Sequence, residues 1–324
     1  MRLLIDTDPG IDDALALLLV LSSPGASVEA ITAAAGNVPV DQAVLNTFRI
    51  LDVVRPVPMP KTARGASAPL KRALVTAGHV HGDDGLGNLD RFVDADGRPR
   101  YPTLAHSLET RDGAELILEM ADRFGKDLVV VALAPLTNLA VAVERDLARL
   151  RRVGRIVIMG GAVAAPGNVT PVAEYNFYVD PEAAATVLEA GLPLELVPLD
   201  VTRQVVLRRS ELAARLHRCP SRIAQFVADF TLHGFAFGDE RGDGGIALHD
   251  PLAVGAALDP SLVGYEALHV EVECDGRITR GMSVADRRPL RSHRKRPPNC
   301  RVARSVDAPR FLDLFLDCLC PASA

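Results

Sequence analysis

The sequence predicts an α/β fold: an open, mostly parallel central sheet with helices on both faces, in a single domain spanning residues 1–324. Three observations carry this. Short apolar, strand-like runs alternate with helix-like segments, the order that βαβ units produce. The chemically informative residues Asp8, Asn37, Leu133 and Met159 fall at or just past the ends of those runs, where open parallel sheets bind ligands. Hydrophobic residues make up 48% of the chain, ample for a core in 324 residues.

The elements follow in order. Leu3-Leu4-Ile5 is a buried strand, Pro9-Gly10 a turn, and residues 14–21 a strong helix former. Residues 28–33 read as a strand ending at Gly36-Asn37, and 41–54 have helical periodicity. A helix is predicted over 114–124, a Val-rich strand over 128–133 and a helix over 137–143. The run 155–159 is a strand ending in Gly160-Gly161, 181–190 a helix behind Asp180-Pro181, and 194–197 a strand. Helical stretches over 210–216 and 221–232 lead into a Gly-rich loop, 238–245, and His249-Asp250-Pro251 opens another helix. Strands over 268–274 and 278–284 are joined by Asp275-Gly276, and 307–319 is an amphipathic helix.

Composition narrows the function. The net charge is -5, so nothing favours a nucleic-acid partner. The run at 14–21 follows acids and is too short to span a bilayer, and no secretory signal is visible, so a soluble, cytoplasmic protein is expected. Five cysteines without a CxxC pair then read as free thiols. The basic run from Arg287 to Arg296, flanked by prolines, reads as a solvated loop.

The chemistry concentrates at Asp6-Thr7-Asp8-Pro9-Gly10-Ile11-Asp12-Asp13. Four carboxylates where a strand enters a helix repel unless something positive holds them. The helix N-terminus supplies part, about 0.3–1 kcal/mol per group. A hard cation with oxygen ligands, Ca²⁺ or Mg²⁺, would supply the rest.

This octapeptide resembles the amino-terminal signature of the inosine–uridine-preferring nucleoside hydrolases. Further segments resemble the same family, in order along the chain: Gly36-Asn37, His81-Gly82-Asp83-Asp84-Gly85, Ala134-Pro135-Leu136-Thr137-Asn138, Met159-Gly160-Gly161, the stretch from Asn168 through Glu174-Tyr175-Asn176, His249-Asp250-Pro251 and Pro298-Asn299.

The resemblance implies Ca²⁺-dependent cleavage of the N-glycosidic bond of ribonucleosides, with a metal-held water as attacker. It implies Ca²⁺ on Asp8, Asp13, the Leu133 carbonyl and Asp250, and Asp8 as general base. Asp6 would support these ligands or simply cap the turn. Asp12, Asn168, Glu174 and Asn176 would grip ribose hydroxyls, Asn37 would sit beside Asp8, and Met159 and Tyr175 would touch the sugar. His249, an imidazole that can be charged near neutral pH, would protonate or polarise the leaving base, with His81 beside it; His79 and His233 are weaker candidates. A stretch from Asp229 to Gly245 would meet the base. The implied partner is a small ribonucleoside, the implied assembly a homodimer or homotetramer, and the implied role nucleoside breakdown and base salvage.

Trp is absent, which disfavours a purine-specific subclass that stacks its base on tryptophan. Two other readings are weighed. Asp6-Thr7-Asp8 is also similar to the Asp-x-Asp of Mg²⁺ haloacid-dehalogenase-type phosphatases, though Pro9-Gly10-Ile11 fits them poorly. A Ca²⁺-dependent nucleoside-binding protein without turnover would be expected to lack Asp8 or His249, and both are present.

Overall fold

The computed structural model describes residues 1–104, 106–288 and 296–320. Parallel strands β1 (Arg2–Thr7), β2 (Ser27–Ala33), β3 (Lys61–Arg64), β4 (Leu128–Ala132), β5 (Arg155–Met159) and β6 (Leu194–Val197) form the heart of the sheet. Short β7 (Val206–Leu207) and β8 (Ile246–Ala247) pair with each other. Strands β9 (Val263–Leu268), β10 (Val270–Val272), β11 (Ser283–Ala285) and β12 (Cys300–Val306) follow. The main sheet has the order β3-β2-β1-β4-β5-β6-β12-β9, and only the β12–β9 pair is antiparallel.

The helices are α1 (Ile11–Ser22), α2 (Val40–Val54), α3 (Gly78–His81), α4 (Gly113–Phe124), α5 (Thr137–Leu150), α6 (Tyr175–Val179), α7 (Pro181–Glu189), α8 (Leu199–Thr202), α9 (Arg209–Arg218), α10 (Arg222–Arg241), α11 (His249–Leu258) and α12 (Ala308–Leu319). Helices α1, α2, α11 and α12 cover one face of the sheet; α4, α5 and α7 cover the other. Alternation along each strand feeds both cores: Leu3, Ile5, Val129 and Val131 face the first layer, Leu4, Leu128 and Val130 the second. Buried on both faces, such strands are continuously apolar rather than alternating with polar residues. Helix α1 is buried from Asp13 through Val20, which is why its sequence is apolar all round.

The strand order reverses between β1 and β4, so the carboxyl ends of these strands open a crevice. Asp8 lies just past β1, Leu133 just past β4 and Met159 at the end of β5. The crevice is the functional region the alternation predicted.

The structure departs from the sequence reading in several places. Strands β3 and β12 went unpredicted, and α5 continues past residue 143 to Leu150. The expected strand over 278–284 shrinks to β11, which pairs antiparallel with β10 around the expected turn. Helix α10 runs through Gly238 to Arg241, so half of the expected 238–245 loop is helical. A side chain at Gly238 would collide with the Gly245 carbonyl; this glycine permits close packing rather than breaking the helix. Cys219 and Cys320 are disulfide-bonded, with Cα atoms 5.9 Å apart, which corrects the free-thiol expectation for this pair. Tertiary folding brings together thiols 101 residues apart, a proximity that spacing cannot reveal. Residues 289–295 of the basic run lie outside the described residues; Arg288 pairs with Asp286 and Arg296 with Glu271. No helix among the described residues is long and apolar enough to cross a membrane.

Candidate active site

A cavity of about 860 Å³ opens at the crevice. Its floor is acidic. Asp12 and Asp13 lie in the first turn of α1, and Asp250 in the first turn of α11. Two helix N-termini therefore point positive ends at the same carboxylates. Ligand oxygens of Asp12, Asp13 and Asp250 lie within 4.8 Å of one another.

Asp13 is also the bracket of the turn. Its Oδ1 accepts from Thr7 Oγ1 at 2.6 Å and the Asp8 amide at 3.2 Å. Its Oδ2 accepts from the Gly10 amide at 3.0 Å and Asn37 Nδ2 at 2.9 Å. Asp8 Oδ2 accepts from the Asn37 amide at 2.6 Å, and Asp8 Oδ1 is buried without a partner. A side chain at Gly36 would strike Asp8, so this approach requires glycine.

Asp6 does not cap the turn. It accepts from Thr32 Oγ1 at 2.5 Å and Asn138 Nδ2 at 2.7 Å, fully buried beneath the floor. The Asp-x-Asp pair therefore does not present two carboxylates to the cavity, which counts against the phosphatase reading.

Among the described residues no Lys or Arg pairs with the floor; the nearest cationic candidate is His81, with Nδ1 3.9 Å from Asp12 Oδ1. Without a counter-charge, Asp6, Asp8, Asp12 and Asp250 are held above the usual carboxylate range. Burial, then Asp13, pushes Asp8 well above the usual carboxylate range. Burial, then Asp12, does the same to Asp250. Asp12 is pushed up to about 8 by burial and then Asp13, and Asp6 to about 6 by burial. Asp8 Oδ1 and Asp12 Oδ1, on the floor, are buried without a hydrogen-bond partner, as is Asp6 Oδ2 beneath it. Orphaned carboxylate oxygens on a shared floor are a donor set that fits a hard divalent cation.

Sugar-side groups stand next to the floor. Asn176 Nδ2 donates to the Leu133 carbonyl at 2.6 Å and the Met159 carbonyl at 3.2 Å, tying together two strand ends. Glu174 caps α6, accepting from the amides of Asn176, Phe177 and Gly161. Burial raises its pKa against these three donors. Asn168 lines the cavity with its Oδ1 buried and unpartnered. Tyr175 donates to the Val75 carbonyl at 2.7 Å and so closes one wall.

Two imidazoles border the floor, His81 against the first turn of α1 and His249 next to Asp250 on α11. His81 Nδ1 accepts from the Ile11 amide at 3.0 Å, so its proton sits on Nε2. His249 Nδ1 lies 2.7 Å from Thr202 Oγ1. Burial first, and for His249 then Arg203, pulls both rings down to about 4. Of the two roles expected for His249, acid or polarising group, this environment favours polarisation by a neutral ring, because burial and the nearby arginine disfavour the cation. A neutral ring still donates through one nitrogen.

The structure brings Asp12, Asn37, His81, Leu133, Met159, Asn168, Glu174, Tyr175, Asn176, His249 and Asp250 to one cavity wall, with Asp8 and Asp13 directly behind. It adds Arg203, which sequence reasoning missed, and places Phe237, Arg241 and Asp243 of the expected base-contacting stretch in the same lining. Arg241 stacks over Phe237 at 5.5 Å, and His79 meets Phe237 edge-on at 6.1 Å. Asp229 lies elsewhere, bound to Arg100 and Tyr101, so only the second half of the expected base-contacting stretch faces the cavity. His233 does not line it, and Asn299 pins β10 through the Val270 amide and carbonyl.

A sequence profile described as inosine-uridine preferring nucleoside hydrolase matches residues 3–313. The chain belongs to this family. The pyrimidine-specific ribonucleoside hydrolase RihA of Shewanella sp. (strain MR-7) is 35% identical over 321 residues, covering 98% of this chain and 95% of its own. The protein of that name from Salmonella typhi is 35% identical over 319 residues, covering 98% and 97%. Among solved structures, the purine-preferring ribonucleoside hydrolase from Gardnerella vaginalis matches at a TM-score of 0.88 and 32% identity, over 98% of each chain. As a nucleoside hydrolase the enzyme acts on the N-glycosyl bond of ribonucleosides, and the phosphatase reading is set aside.

Proposed function

We propose that this nucleoside hydrolase is Ca²⁺-dependent, with Asp8 as general base and His249 as donor to the leaving base. The supporting observation is the juxtaposition inside one cavity: an acidic floor with orphaned oxygens adjoins two imidazoles whose charged forms are disfavoured. Breaking an N-glycosidic bond leaves positive charge on the sugar and negative charge on the base, and each wall suits one of these.

Asp8, Asp13, the Leu133 carbonyl and Asp250 would hold Ca²⁺, with Asp12 as a further candidate from the tightest acidic group. When bound, the ion would neutralise the floor and lower the pKa of water in its shell. Asp8, with one oxygen fixed by the Asn37 amide and the other unpaired, is oriented to take a proton from the attacking water. Asp12, Asn168, Glu174 and Asn176 would hold the ribose hydroxyls, with Met159 and Tyr175 shaping the sugar pocket. His81 presents Nε2–H beside them.

Base preference would be set across the cavity, at Phe237, His79 and Arg241. The relatives' names point both ways, to pyrimidines and to purines. Phe237 and its neighbours offer a stacking surface with no Trp. A homodimer or homotetramer in the cytoplasm completes the reading; light scattering tests the assembly.

The deciding experiment is ribose release from a ribonucleoside panel, with and without chelation, for the wild type and Asp8→Ala. Release that needs Ca²⁺ and falls in the variant is expected. Tight Ca²⁺ binding with no release from any nucleoside would leave a binding protein instead.

A further inference from the structure

One turn of helix touches both halves of the site. Helix α8 and the Arg203 that caps it carry neither the acidic motif nor a histidine. Yet Asp200, Thr202 and Arg203 bond to groups in or beside the cavity lining.

Asp200 Oδ2 accepts from the Val163 amide and Oδ1 from the Ala164 amide, each at 2.8 Å. Arg203 Nη1 donates to the Pro166 carbonyl at 2.9 Å and Nη2 to the Gly167 carbonyl at 2.7 Å. Two points on the backbone leading into Asn168 are therefore gripped by groups three residues apart on one turn. Asn168, the next residue after that second carbonyl, has its Oδ1 buried without a partner in the cavity wall.

Between these two, Thr202 is fully buried with its hydroxyl 2.7 Å from His249 Nδ1. A buried hydroxyl that only accepted here would leave its own proton unpaired, at a cost of about 1–3 kcal/mol. Donating to Nδ1 avoids that cost and leaves the ring proton on Nε2. Arg203 lies close enough to His249 to disfavour its charged form.

We propose that Asp200, Thr202 and Arg203 form a positioning device that sets Asn168 on the sugar side and the His249 tautomer on the base side from one rigid turn. The inference rests on the functional reading above. Arg203 and Asp200 act through Asn168, and Thr202 acts through His249. The two arms make different demands of a substrate. Holding the sugar matters whatever the leaving group is. Orienting a donor toward the base matters only where the leaving group needs one.

The test uses the full-length, Ca²⁺-loaded protein and two substrates: the best ribonucleoside from the panel and 4-nitrophenyl β-D-ribofuranoside, whose leaving group departs without a proton. Thr202→Val is expected to lower kcat on the nucleoside about tenfold or more and on the nitrophenyl glycoside by less than about twofold. Thr202→Ser restores the hydroxyl and should restore the nucleoside rate. Arg203→Met is expected to lower kcat/KM on both substrates by a similar factor, about tenfold, chiefly through KM. If Thr202→Val fails to fold, Thr202→Ala removes the same hydroxyl without adding bulk and gives the same split. Equal losses on both substrates for the Thr202 variants, or no loss on either for Arg203→Met, overturn the proposal. A wild type that cleaves neither substrate overturns the hydrolytic mechanism and, with it, this device; a wild type that cleaves both while the variants show no split overturns the device alone.

Discussion

The floor of the cavity and the wall opposite it are built by different means. The floor stands on strand ends and helix starts: Asp8, Asp13 and Asp250 are buried, and the turn that carries Asp8 and Asp13 is cross-braced by Thr7, Asn37 and the backbone. The far wall comes from the late turns of α10 and the loop after it, where Phe237 is half-buried and Arg241 and Asp243 are exposed. A floor assembled from central elements fixes the chemistry. A wall assembled from a peripheral helix leaves the choice of base free to vary, which accords with relatives named for both purines and pyrimidines.

If that contrast is right, substitutions on the floor abolish turnover and those on the wall redistribute it. The largest effect is expected at Asp8: Asp8→Ala should lower kcat about 10³-fold on every nucleoside alike, read as ribose release. A loss confined to one base would break the distinction. His249→Ala comes next, at about 10²-fold on nucleosides; the same variant should retain most of its activity on an activated glycoside. Phe237→Ala should shift the ratio of kcat/KM between a purine and a pyrimidine nucleoside by about tenfold. Its Ca²⁺-induced thermal shift should stay that of the wild type.

The smallest effect is on stability, and its sign follows from the raised carboxylates. Asp6 and Asp12 move from the ordinary 3.8 to about 6 and about 8. In the metal-free protein the folded state therefore holds these protons more tightly than the unfolded chain. That advantage is full below pH ~4 and is lost as pH rises through about 6 and then about 8. The melting temperature of chelated protein should fall across this window. Added Ca²⁺ should raise it, most strongly at the alkaline end; a flat profile would mean that the floor is not electrostatically strained.

The same contrast explains what could be read in advance. Asp8, Asp12 and Asp13 are neighbours in sequence, so their proximity needs no tertiary knowledge, and the apolar runs before and after them fix the strand and helix. Asn168, Glu174 and Asn176 were legible through family likeness, not through local pattern. Phe237 and Arg241 were legible only as part of the base-contacting stretch that the likeness implied; their place on a helix was not, because Gly234 and Gly238 weaken the helical signal of α10, and only packing against Gly245 reveals why glycine stands there. Strand β12 was missed because its Arg301 and Arg304 interrupt the apolar pattern; in the fold they pair with Glu195 and Asp200. The neutrality of His249 is a product of burial and of Arg203, 46 residues away in sequence, and no local feature carries it.

Strand β12 has one more consequence. It fills the slot between β6 and β9, pairing with β6 across 106 residues of sequence at Arg301 and Glu195. Until it emerges during synthesis, the Leu194–Val197 edge stays open and β9 has no place in the sheet. A nascent chain can dock β1 to β6 early, yet it carries an unsatisfied apolar edge for roughly a hundred further residues, a template for pairing with other chains. Crowded translation is then a condition under which this edge invites pairing with other chains.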